Sequence, residues 1–153
     1  MLKKEERREM NERFWKMFKR SMRKTHSLSE KKVSWTKYPT EIKHIYLRLK
    51  CEDRISISFD IQHKDEEIRA LIWEQLKELK VVLEKQMNHN TIWEEKVYTK
   101  EGMCISSISW THESLSFYNE NEWKDIISFF KIRLIEFDKF YQEYKDILIH
   151  LVN

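Results

Sequence analysis

Glycine and proline are almost missing from these 153 residues: Gly102 is the only glycine and Pro39 the only proline. Without a glycine cluster there is no loop of the G-x-G-x-x-G or G-x-x-x-x-G-K-[ST] kind, so a P-loop ATPase and a Rossmann dehydrogenase are excluded. The G-x-S-x-G elbow of serine hydrolases is excluded for the same reason. Cysteine is nearly as scarce. Cys51 and Cys104 stand far apart with no C-x-x-C, which speaks against a disulfide framework or a cysteine-rich zinc module and for a reducing, cytoplasmic setting. The six histidines are scattered without an H-x-H or H-x-x-x-H pair, so a zinc site is not expected either. No apolar run approaches the about 20 residues that span a bilayer, and no signal peptide or membrane contact is expected.

What is present suits one domain. The chain is 41% apolar, enough for a single core over residues 1–153. Its 29 Lys and Arg against 26 Asp and Glu leave a formal charge of +3, too small to name a partner. That charge is unevenly placed: residues 1–24 hold ten basic and four acidic side chains, so the rest of the chain is slightly acidic. Met10, Phe14, Met17, Phe18 and Met22 recur at helical spacing, which predicts an amphipathic basic first helix over 1–24. Residues 25–44 lack periodicity and read as a connector, with Val33, Trp35 and Tyr38 folding it back onto the body.

From Ile45 the period changes to two. Ile45, Leu47, Leu49 and Cys51 alternate with Tyr46, Arg48 and Lys50; past a turn at Glu52-Asp53, Ile55, Ile57, Phe59 and Ile61 alternate with Ser56, Ser58, Asp60 and Gln62. This predicts a hairpin with one apolar and one polar face. Asp65 then caps a helix whose stripe is Ile68, Leu71, Ile72, Leu76, Leu79, Leu83 and Met87, ending at Asn88-His89-Asn90. A second hairpin follows over about 92–98 and 103–110, with Gly102 supplying the positive φ of its turn. Asn119 and Glu122 form a capping pair ahead of a heptad seam running from Trp123 through Ile127, Phe130, Leu134, Phe137, Tyr141, Tyr144 and Leu148 to Leu151. The expected fold is α+β, an antiparallel sheet of about four strands with three helices in the order α-ββ-α-ββ-α, residues 45–153 forming a ββα-ββα body. The long helix over 123–151 offers a seam for a homodimer.

Several local patterns fall together here: Val33-Ser34-Trp35-Thr36-Lys37-Tyr38, Ile42-Lys43-His44-Ile45-Tyr46, Ser58 to Asp65, Ile127 to Ile135 and Phe137-Asp138-Lys139-Phe140-Tyr141. They resemble a bacterial family of domains of unknown function, found as small stand-alone proteins or as the last domain of longer ones with a nuclease-like domain ahead. The family pattern has Glu where this chain has Asp60 and Pro where it has Ile132. The resemblance implies fold and compartment; it brings no catalytic residue.

Two chemistries can be drawn from the residues. Asp60, Gln62 and Lys64, at i, i+2 and i+4 of an extended segment, project to one face. A Mg²⁺-dependent nuclease of the PD-(D/E)xK type carries an acid or Gln two residues before a Lys, with Asp53 or Asp60 as metal carboxylate and Glu12 as a remote one. The plain alternative has Asp60 and Gln62 in solvent, Lys64 paired with Glu66 or Glu67, and Asp65 as a cap. The second chemistry is nucleic-acid contact through Arg13, Lys16, Lys19, Arg20, Arg23 and Lys24 on the first helix. The expectation is a non-enzymatic interaction module with a protein partner, serving a nucleic-acid-processing or defence system, with no cofactor. The alternative is the nuclease, and Mg²⁺ enters only there.

Overall fold

The period-two stretch does form the expected hairpin. In the computed structural model, which describes residues 2–152, Ile45–Lys50 (β1) and Ile55–Ile61 (β2) pair antiparallel, with Leu47 opposite Phe59. Ile92–Tyr98 (β3) and Cys104–His112 (β4) form the second hairpin, whose turn places Gly102 at φ +83°. No atom lies within 4 Å of where a Cβ would stand on Gly102, so the positive φ, not crowding, is what calls for glycine. β2 and β4 join the two hairpins into one antiparallel sheet in the order β1-β2-β4-β3.

Among the described residues four α-helices, not three, accompany the sheet. Lys4–Met22 (α1) lies within the expected 1–24, of which Met1 is outside the described residues. The single helix expected after Asp65 is divided into Glu66–Glu78 (α2) and Lys80–Met87 (α3). At the break, Leu79 has φ −93° and ψ 6°, and its N–H bonds to both Gln75 and Leu76 carbonyls, a tightened last turn. The break re-aims the apolar stripe. α2 buries Ile72, Trp73 and Leu76 while Leu71 stays 52% exposed, and α3 buries Leu83 and Met87. The order is therefore α-ββ-αα-ββ-α. Asp65 caps α2 as expected, accepting from the Glu67 N–H at 2.9 Å, and Asn88 ends α3 in the left-handed region.

Trp123–Val152 (α4) crosses the apolar face of the sheet, and the other helices pack on it. Phe137 meets Phe59 at 5.1 Å and Trp110 at 6.1 Å between ring centroids; Phe130 meets Phe14 and Phe18 of α1. Most of the heptad seam, from Trp123 to Tyr141 and again at Leu148, is buried in this core, so the stripe that offered a dimer seam is occupied by the chain's own sheet and helices.

The connector is held by a buried carboxylate on α4. Asp138 accepts from Ser27 Oγ at 2.7 Å, the Leu28 N–H at 2.8 Å and Tyr38 Oη at 2.5 Å. Gln142 donates to Tyr38 Oη at 2.9 Å, and Trp35 and Tyr38 are both buried, which folds the connector back onto the body as expected. Burial, with the Asp138 carboxylate beside it, holds the Tyr38 phenol far above its ordinary range; burial does the same to Tyr141, which donates to the Thr40 carbonyl. The unfolded chain loses a phenolic proton near pH 10 and the folded chain keeps it. Stability should thus be intact below about pH 10 and fall above it, by about 1.4 kcal/mol per pH unit for each phenol. Urea denaturation at pH 7 and pH 11 checks this: Tyr38→Phe should be less stable at pH 7 and show a shallower alkaline loss.

Candidate functional site

Because α4 covers one face of the sheet, the other face carries the polar half of each alternation. Antiparallel register sets these side chains in rows. Tyr46, Asp60, Ser107 and Glu94 make one row, Arg48, Ser58, Ser109 and Ile92 the next, and Lys50, Ser56 and Thr111 a third. Apart from Tyr46, Ile92 and Thr111, these side chains form the floor of a recess of about 950 Å³. The sequence points to Ser56, Ser58, Asp60 and Gln62, but not to Ser107, Ser109 and Glu94 of the second hairpin. The available signal was the repeated Ser-x-Ser of both central strands, Ser56-x-Ser58 and Ser107-x-Ser109.

The floor is not the solvated surface that the plain reading expects. Asp60 is 1% exposed, and both its oxygens are engaged: Arg48 Nη1 donates to Oδ2 at 3.1 Å and Ser107 Oγ donates to Oδ1 at 2.7 Å. A buried carboxylate needs this pairing, since an unpaired charge there would cost several kcal/mol. Arg48 leaves its own row to make the contact, also donates to Gln62 Oε1 at 2.8 Å, and lies 4.5 Å from the Tyr46 ring centroid. Directly across from it, Ser58 is 2% exposed and its hydroxyl has no hydrogen-bond partner among the described residues; the Thr111 hydroxyl in the next row is in the same state. Each such hydroxyl costs about 1–3 kcal/mol relative to a paired one.

The residues proposed for metal chemistry are not assembled. Asp60 and Gln62 come together, but around Arg48. Asp53 sits in the β1–β2 turn, 90% exposed and 3.9 Å from Lys100. Asp60 lies near the other end of β2, about 17 Å along the extended strand from its first residue, Ile55, which follows that turn. Lys64 is exposed, does not line the recess and has no ion pair among the described residues, Glu66 being 3.8 Å from Lys96 instead. Glu12 is exposed on α1. No group of three or more His, Cys, Asp or Glu that could hold a metal occurs among the described residues. His63 faces His44 at 5.9 Å, while His112, at the other end of β2, packs on Phe129. Cys51 borders the recess, but burial, with Glu52 beside it, pushes its thiol up to about 12, so it is no nucleophile at neutral pH.

The second half of α1 is a separate surface. Its apolar residues Phe14, Phe18 and Met22 are buried, which turns Lys16, Lys19 and Arg20 to solvent, and Arg23 and Lys24, just past the end of the helix, are exposed as well. Arg13 differs. It is ion-paired with Glu120 and lies 5.3 Å from the Trp123 ring centroid, and this pairing raises its guanidinium and lowers the Glu120 carboxyl from their ordinary values. Trp15 is stacked on Phe130 at 6.1 Å and 9°, so it serves the core.

A family model described as Domain of unknown function (DUF4268) matches residues 10–145, from the middle of α1 to the last third of α4. The chain belongs to that family. No curated protein and no solved structure matches it. No helix among the described residues is long and apolar enough to cross a membrane.

Two buried serines of the floor, Ser58 and Ser107, should respond to substitution with opposite sign. Ser58→Val removes an unpartnered hydroxyl from a strand and should raise the unfolding free energy by about 1 kcal/mol. Ser107→Val strips Asp60 of a hydrogen bond and should lower it by about 1–2 kcal/mol. Urea denaturation of the pair reads both signs.

Proposed function

We propose that this protein is a non-enzymatic interaction module of the cytoplasm that contacts nucleic acid through the second half of α1 and the two basic residues that follow it. The observation that carries the reading is a cationic stripe: Lys16, Lys19, Arg20, Arg23 and Lys24 are exposed, none has an ion-pair partner among the described residues, and no acidic residue occurs from Arg13 to Lys24. The spacing of Lys16, Lys19 and Arg20 keeps these three on neighbouring helix faces, with Arg23 and Lys24 following directly after the helix end. Lys16 to Arg20 cover about 6 Å of helix, and Arg23 and Lys24 extend the stripe past its end, within reach of about three phosphates of one strand. Because the helix's aromatics serve the core, contact is with phosphates and independent of base sequence. The small overall charge does not oppose this, since the excess is concentrated here while the rest of the chain is slightly acidic.

Two unpaired thiols fit a reducing compartment, and the resemblance to domains that follow nuclease-like partners fits a role in nucleic-acid processing or defence. The Mg²⁺-dependent nuclease finds no supporting observation: Asp60 and Gln62 are committed to Arg48, Asp53 lies at the far end of the recess, and Lys64 stands outside it.

Fluorescence anisotropy with labelled single- and double-stranded DNA and RNA tests the reading. Binding should be sequence-independent, with log K falling by about 3 per unit of log salt on duplex DNA. Lys19→Glu/Arg20→Glu/Arg23→Glu should weaken it at least about tenfold at low salt while circular dichroism stays unchanged. Added Mg²⁺ should produce no cleavage. Absence of binding at low salt, or binding indifferent to the charge reversal, overturns the reading.

A further inference from the structure

We propose that the serine-lined recess is a binding site for a neutral, polyhydroxylated ring: a sugar, free, within a glycan or as the ribose of a nucleoside. This site is separate from the cationic stripe of α1 and does not rest on it.

The argument begins with what the floor has left to offer. Its two formal charges cancel, since Arg48 and Asp60 bind each other, so the floor attracts neither anions nor cations strongly. The rim sets three cations, Lys50, Arg54 and Lys100, against four carboxylates, Glu52, Asp53, Glu94 and Glu101, and that excess of one negative charge disfavours anions without making a cation site. Uncommitted hydrogen-bonding groups remain. The Ser58 hydroxyl at the bottom has no partner among the described residues, and Ser109, directly opposite it on β4, is only half-buried. Gln62 uses its carbonyl oxygen on Arg48, which leaves its amide N–H groups to donate, and Glu94 stands across the sheet as an acceptor.

A ligand matched to this set must donate and accept within a short distance while carrying no net charge. Hydroxyl groups do both, and a ring bearing several of them presents them at fixed spacing. At one end of the recess Val97, Tyr98 and Ile105 form an apolar edge, with Tyr98 exposed, which suits the C–H face of such a ring. A volume of about 950 Å³ is of the size that holds small-molecule ligands. Placing serines where a strand would gain from Val or Ile costs stability, and a binding role accounts for that cost.

The test is a titration of ¹⁵N-labelled full-length protein with glucose, mannose, N-acetylglucosamine, maltose, adenosine and uridine, with glucose 6-phosphate and inorganic phosphate as anionic arms, followed by amide chemical shifts. The expected result is saturable perturbation of β2 and β4 by at least one neutral compound. Ser58→Val/Ser109→Val, and separately Gln62→Leu, should weaken it about tenfold with the folded spectrum preserved. Response to hexoses alone assigns free or glycan sugar; response to nucleosides alone assigns ribose. Response only to the phosphorylated arms, no response to any compound, or equal binding by the variants overturns the proposal.

Discussion

One carboxylate, that of Asp138, ties the most irregular part of the chain to its longest helix. It lies buried in the middle of α4 and takes three hydrogen bonds from residues about 100 or more positions away: Ser27, Leu28 and Tyr38. The connector between α1 and β1 has no glycine, and Glu30, Glu41 and His44 adopt positive φ within it, a conformation that side chains with a Cβ resist. Local preference therefore does not shape this segment. The buried hydrogen bonds to Asp138, with Trp35 and Tyr38 packed beside them, offset that strain and fix where β1 begins. Tyr141, one turn further along α4, donates to the Thr40 carbonyl, while Thr40 Oγ1 donates to the Ile45 carbonyl at 2.8 Å. The sheet is thus set on α4 by polar contacts at its first strand and by Phe59, Trp110 and Phe137 at its centre.

That seating decides which surfaces are free. α4 takes one face of the sheet and the apolar stripe of α1, so the serine rows and the cationic side of α1 are what remains for contact. The two differ in kind. The helix offers mobile charges in water, suited to weak, salt-sensitive contact with phosphates. The recess offers fixed, largely neutral groups in a partly dry setting, where each hydrogen bond counts for more and an unmade one is costly.

Much of the fold could be read before the structure because the relevant signals were local. Alternation over 45–61 located a hairpin, Gly102 marked a turn, Asp65 marked a helix start, and the spacing of Phe14, Phe18 and Met22 predicted which side of α1 is buried. The break at Leu79 was not legible, since no glycine or proline marks it and the apolar stripe runs straight through; packing of α3 on α4 imposes it. Nor was the state of Asp60 legible. Its pairing depends on Arg48 from β1 and Ser107 from β4, so it follows from register across three strands rather than from any spacing in sequence. For the same reason Asp60, Gln62 and Lys64 looked like a set, although the first two turn to Arg48 and the third lies beyond the strand.

Photocrosslinking tests the functional account most directly. With a 4-thiouridine-containing single strand bound to the full chain, mass spectrometry of the crosslinked peptides should place the strand on the second half of α1 and the adjoining start of the connector, and the crosslinks should vanish at high salt. Crosslinks concentrated on the outer face of α4 or along β3, or none at α1, would contradict it.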